Sequence, residues 1–127
     1  DAAVLKAKEH GVAPLDPMLL SYIKNDLASR YELYLASNAS ASLLTELLLQ
    51  DGFDGIFKHV FVSSEMGVIK PQPEFYAKLL NSVNVPAAEI LFVDDRKPNV
   101  DAAVTASMQG YHYNQGFPAF KQYVSSL

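Results

Sequence analysis

The sequence predicts an α/β protein, a Rossmann-like parallel sheet with helices on both faces. Three observations carry that expectation. Short apolar runs recur at Tyr31–Ala36, His59–Val62 and Ile90–Val93, and each closes on polar residues. Stretches with apolar residues at helical spacing separate them, so strand and helix alternate as parallel crossovers require. The run Ile90-Leu91-Phe92-Val93 stops abruptly on Asp94-Asp95, as a strand buried on both faces does when its carboxyl end opens into a ligand crevice.

Each element follows from local chemistry. Asp1–His10 is patterned as a helix ending at Gly11, and a breaker-rich segment through Pro14 and Pro17 follows. Asp16 and Pro17 suit an N-cap and first helical position, with Leu19, Tyr22, Ile23 and Leu27 on one face behind them. Tyr31–Ala36 is the next strand, delivering Ser37 and Asn38 at its end. Ser40 or Ser42 caps a helix through Gln50, with Leu43, Leu44, Leu47 and Leu48 inward and Gly52 as its stop. His59–Val62 forms a short strand closing on Ser63, Ser64 and Glu65. The polar loop Met66–Pro73 leads to a helix over 74–83 that carries Phe75, Leu79 and Val83. After the acidic strand come a helix over 99–107, a strand at Tyr111–Tyr113 and a last helix over 117–124.

Composition bounds the function. With 127 residues, 50% hydrophobic and 19% charged, the chain suits one compact soluble domain. Its net charge is −4 and its basic residues are scattered, so no nucleic-acid footprint is present. It has no cysteine, which excludes disulfides and thiolate zinc sites and fits a cytoplasmic setting. No apolar run approaches the ~18 residues of a spanning helix, so no membrane partner is expected.

Taken singly, the polar groups have plain readings. Ser37-Asn38 serves as a helix cap, Lys70-Pro71 as a solvated turn, and Asp94-Asp95 as a cap with a surface carboxylate. His10, His59 and His112 lack ligand-like spacing. Their order changes the reading. A hydroxyl with an amide at one strand end, a lysine in the loop after the next, and a carboxylate pair at a third supply what phosphoryl chemistry needs. The hydroxyl and nearby N–H groups bind phosphate oxygens, the lysine offsets developing charge, and the paired carboxylates call for a cation, Mg2+ by preference.

At these residues the chain resembles the haloacid dehalogenase superfamily of phosphohydrolases. Leu35-Ala36-Ser37-Asn38 is similar to its second motif and Gly67-Val68-Ile69-Lys70-Pro71-Gln72-Pro73-Glu74-Phe75-Tyr76 to its third. Phe92-Val93-Asp94-Asp95 with Asn99-Val100-Asp101-Ala102-Ala103 is similar to its fourth. Ser63-Ser64-Glu65-Met66-Gly67 and Asp94–Asn99 look most like the branch of sugar-phosphate phosphatases and the phosphatase domains of epoxide hydrolases. Gln72 stands where that branch more usually has aspartate. The resemblance implies that Ser37 and Asn38 bind the phosphoryl group, that Lys70 steadies it and acts as a catalytic residue, and that Asp94 and Asp95 hold Mg2+. A small phosphorylated substrate is implied for the parent protein.

The family's first motif, a strand ending in Asp-x-Asp whose first carboxylate attacks phosphorus, has no counterpart, since no Asp-x-Asp occurs in the sequence. The expectation is therefore the C-terminal portion of a hydrolase, with residues 1–13 the tail of a cap or a linker and 14–127 a truncated core, inactive as it stands. A central strand is then missing, and a second copy or an excised N-terminal fragment is expected to fill the sheet. The alternatives are a non-catalytic interaction module on the same fold, a phospho-receiver domain and a 2-haloacid dehalogenase. A receiver domain presents its acids first and its lysine last, the reverse of the order here, and a dehalogenase does not demand a metal-binding acidic pair.

Overall fold

The computed structural model describes residues 2–6, 17–38 and 55–127. Its described strands are β1 (Ala2–Lys6), β2 (Glu32–Ser37), β3 (His59–Val62), β4 (Ile90–Asp94) and β5 (Gln109–His112). They form one sheet in the order β3-β2-β1-β4-β5, with every pair parallel. This is the doubly wound order, in which the chain builds outward on one side of β1 and then restarts on the other. Leu5 of β1 lies opposite Leu35 of β2 and Val93 of β4, so the carboxyl ends of β2 and β4 reach nearly the same level.

Two helical layers cover the sheet, and strand alternation decides what each meets. Tyr34, Ala36, Ile90 and Phe92 pack with Phe75, Tyr76 and Leu79 of α4 (Pro73–Ser82) and Ala103 of α5 (Lys97–Thr105). The intervening residues Leu33, Leu91 and Val93 turn to the other face. There they meet Tyr22, Ile23 and Leu27 from α1 (Pro17–Tyr22) and its π-helical continuation Ile23–Leu27, together with Phe117, Phe120 and Val124 of α6 (Phe117–Ser125). The helix runs on through α2 (Ala28–Arg30). β5 packs so closely on α5 that a Cβ at Gly110 would lie 2.7 Å from Val100 and 2.8 Å from Val104.

Most elements fall where periodicity puts them. The helix expected between Ser40 and Gln50 lies outside the described residues, as do His10 and the Asp16 cap. Ser63–Met66 is a helical turn, α3, rather than the end of a strand, because Gly67 closes it in the left-handed conformation at φ 75°. The helix α5 starts at Lys97, two residues earlier than expected, with Pro98 in its first turn, where the ring's fixed φ suits a helix.

The larger correction concerns the N-terminal segment. Ala2–Lys6 is not helical but forms the central strand, hydrogen-bonded to β2 and β4. The gap assigned by the sequence to a recruited strand is closed within the chain. A row of unpaired N–H and C=O groups between two apolar strands costs about 1–3 kcal/mol for each buried group, far more than the helical preference of a few alanines and lysines. Among the described residues, no helix is long and apolar enough to cross a membrane.

Candidate active site

The site grows from the end of β4, which is buried along its whole length. Its apolar residues hold Asp94 at the sheet edge with only 1% of its surface exposed. A carboxylate so placed needs donors, and three converge on it. The Arg96 backbone N–H donates to Oδ1 at 2.9 Å, a local turn within the loop. The Asn99 amide, from the first turn of α5, donates to Oδ2 at 3.1 Å, and Lys70 Nζ donates to the same oxygen at 3.1 Å. Neither side chain of the Lys70–Asp94 pair has solvent exposure. Behind it the Tyr76 hydroxyl donates to the Asn99 carbonyl at 2.8 Å. Burial, reinforced by the nearby negative charge of Asp94, pushes the Tyr76 phenol well above its ordinary value, so it stays a donor.

The other flank is the end of β2. Ser37 is fully buried there, and Asn38 is half-buried just beyond the strand. Lys70 arrives from the loop between α3 and α4, and its peptide bond to Pro71 is cis. Its ammonium also donates to the Ala36 carbonyl at 3.1 Å, so it spans from β2 to β4 across the end of β1. The loop is tied at two points. Asn38 Nδ2 donates to the Lys70 carbonyl at 3.2 Å and the Lys70 N–H donates back to Asn38 Oδ1 at 3.0 Å. The Ile69 N–H donates to Gln72 Oε1 at 3.0 Å. Gln72, where the resembled branch more usually has aspartate, thus supplies a side-chain acceptor to the loop.

Of the residues singled out in the sequence, Ser37, Asn38, Lys70 and Asp94 gather at the switch point of the sheet, where α/β folds bind ligands. Asp95 stands apart. Its side chain is exposed, and its carbonyl faces His112 Nε2 at 3.0 Å. His59 is exposed, and its ring lies 4.4 Å from that of Phe61, with no part in the site. Sequence reasoning passed over Asn99 and Tyr76. Both lie inside motif stretches, but nothing local marks Asn99 as a donor to a carboxylate, or Tyr76 as its support, until the two helices are packed.

Asp94 and Asp95 carry hard oxygens of the type Mg2+ prefers, but only Asp94 lies at the site edge, and its two oxygens are engaged by Arg96, Asn99 and Lys70. Among the described residues no group of three or more histidine, cysteine, aspartate or glutamate side chains gathers as a metal cluster.

Comparison with known proteins places this arrangement. The family model for haloacid dehalogenase-like hydrolases matches residues 8–107. A sesquiterpene phosphatase from Aspergillus oryzae is 45% identical over 62 residues, covering 49% of this chain and 30% of its own. The chain thus spans less than a third of that relative. The solved structure of a HAD-like family hydrolase from Porphyromonas gingivalis superposes with a TM-score of 0.73 at 25% identity, over 87% of this chain and 58% of the other. A HAD family enzyme from Bacteroides thetaiotaomicron, in complex with magnesium and inorganic phosphate, gives 0.65 at 24% identity, over 79% of this chain and 50% of its own.

Proposed function

The chain belongs to the haloacid dehalogenase-like hydrolases, and from that premise we propose that it carries the phosphate- and metal-binding edge of a Mg2+-dependent phosphohydrolase acting on a small phosphate ester. One observation carries the reading: a wholly buried lysine ammonium, paired with Asp94 and held between the ends of β2 and β4. Taking an ammonium out of water costs several kcal/mol before pairing, and neutralising a transferring phosphoryl group gives such a cation a purpose. The Ser37 hydroxyl would meet a phosphoryl oxygen from the adjoining strand end. Asn38 would shape the same strand-end loop. Asp94 and Asp95 would hold Mg2+ only with the exposed Asp95 side chain turned toward the Asp94 edge, and the ion when bound would neutralise and orient phosphoryl oxygens. The phosphatase activity of the Aspergillus relative and the magnesium and phosphate bound by the Bacteroides neighbour support the same chemistry.

The attacking carboxylate is not in this sequence. No Asp-x-Asp occurs, and the central strand ends on Lys6 instead. The polypeptide as it stands is therefore expected to bind rather than turn over. The absence of any carboxylate from β1 also favours a second reading, a non-catalytic module that keeps the fold for binding. One experiment separates the two. Replacing Ala2–Lys6 and the residues that follow it by an apolar strand ending in Asp-x-Asp should yield Mg2+-dependent hydrolysis of p-nitrophenyl phosphate, lost again on Lys70→Ala or Asp94→Asn. The unmodified chain should match the blank. A folded replacement without activity would favour the module, and turnover by the unmodified chain that survives Lys70→Ala would overturn the mechanism.

A further inference from the structure

We infer that Asn38 is a positioning residue: it sets where the Lys70 ammonium lies by holding the Lys70 backbone, and its side chain is not primarily a phosphate ligand. The inference deepens the proposed function and rests on it only in treating Lys70 as the phosphoryl-facing cation.

Lys70 sits in an irregular loop, yet its charge is delivered to a point defined by two acceptors, Ala36 O and Asp94 Oδ2, each at 3.1 Å. A four-carbon side chain with free rotors reaches such a point reproducibly only if its Cα is fixed. The loop cannot fix it by secondary structure, because Lys70 lies between α3 and α4 and outside the sheet. Asn38 performs that task. Its amide accepts from the Lys70 N–H at 3.0 Å and donates to the Lys70 C=O at 3.2 Å, a reciprocal pair of the kind one strand makes with its neighbour. A carboxylate in its place could only accept, and a serine would be too short to do both. Asn38 directly follows β2, and Ala36 is the second-last residue of that strand. The element that supplies one of the ammonium's acceptors therefore also holds the lysine's backbone. Gln72 steadies the loop from the other side through the Ile69 N–H. With one acceptor and one donor position of its amide spent on the loop, Asn38 contributes to phosphate binding chiefly through where it puts Lys70.

The test reads Lys70 directly in the intact chain. Pulse acetylation with acetic anhydride, quantified residue by residue by mass spectrometry, reports how often each lysine ammonium is accessible, and the exposed Lys97 and Lys121, neither bonded to the Lys70 loop, serve as internal references. In the wild type Lys70 should be strongly protected. In Asn38→Ala its labelling should rise about tenfold or more, since two hydrogen bonds no longer hold the loop closed, while Lys97 and Lys121 stay unchanged. Asn38→Asp, which keeps the acceptor but not the donor, should fall between. Unchanged protection of Lys70 in Asn38→Ala would overturn the inference, and so would a parallel rise at every lysine, which would mean general loosening. A phosphate titration followed by NMR separates this result from the broader reading. If the wild type binds no phosphate while Lys70 labelling responds to Asn38, the positioning role stands and the phosphohydrolase reading fails. If Asn38→Ala loses phosphate with Lys70 still protected, Asn38 is itself the ligand and the inference fails.

Discussion

The two flanks of the site reach the same point by opposite means. On the β4 flank, Asp94, Arg96 and Asn99 lie within six consecutive residues, and a strand end and a helix start place them with little help. On the β2 flank, nothing local suffices. Asn38 finds Lys70 across 32 positions and the lysine finds Ala36 across 34, so that half of the site exists only once the loop has docked on the strand. A local motif survives partial unfolding, whereas an assembled one fails with the packing that brings it together. Lys70 and Asp94 are where the two halves meet, which makes their pair the most exposed to disruption from either side.

Breaking that junction should have the largest effect. Asp94→Ala leaves the Lys70 ammonium buried without its carboxylate, and a loss of about 3–5 kcal/mol is expected in urea unfolding. A loss below about 1 kcal/mol would mean that the ammonium finds water or another partner, and the flanks are then less interdependent than their geometry indicates. Tyr76→Phe tests the local flank alone. Removing the hydroxyl takes away the second donor to the Asn99 carbonyl, which keeps its helical bond within α5, for about 0.5–1.5 kcal/mol.

The same variant has a pH signature. The folded state raises the Tyr76 pKa above its ordinary 10.0, so the native protein retains a proton that the unfolded chain releases. That contribution is complete below pH 10 and is lost as pH rises beyond it. Thermal melts should show wild-type stability falling more steeply than that of Tyr76→Phe above about pH 10, with parallel curves below. The smallest effect should come from the solvated rim. Lys97→Ala removes an exposed i,i+4 pair with Asp101, worth at most about 0.5 kcal/mol and screened by salt. A larger loss would show that the first turn of α5, and with it Asn99, depends on that pair.

The sequence made one flank more legible than the other, for the same reason. The strand-end positions of Asp94 and Ser37 were readable because each closes an apolar run, although each pair taken singly also reads as a helix cap. The unequal surroundings of the two acids were not readable. Asp94, the last residue of β4, is buried among donors from Arg96, Asn99 and Lys70, while Asp95, one residue past the strand, faces solvent. Lys70 was recognised by resemblance, but its clamp on Asn38 is a contact between distant residues that no periodicity records. Asn99 and Tyr76 escaped for a related reason, since each acts through a helix whose packing angle is set by the whole core. The N-terminal strand was misread because the helical pattern of Asp1–His10 was given more weight than the two open strand edges that the same residues satisfy.

That strand also has a consequence in time. Ala2 pairs with Glu32 on one side and with Ile90 on the other. During synthesis β1 leaves the ribosome well before β2 and long before β4, so the strand at the centre of the sheet is made early and completed late. Loop closure over such separations slows folding relative to a sheet built from neighbours. Until β4 emerges, an apolar edge stands open to any extended segment nearby. Slow refolding with a concentration-dependent side reaction is the kinetic counterpart of placing an early strand in the middle.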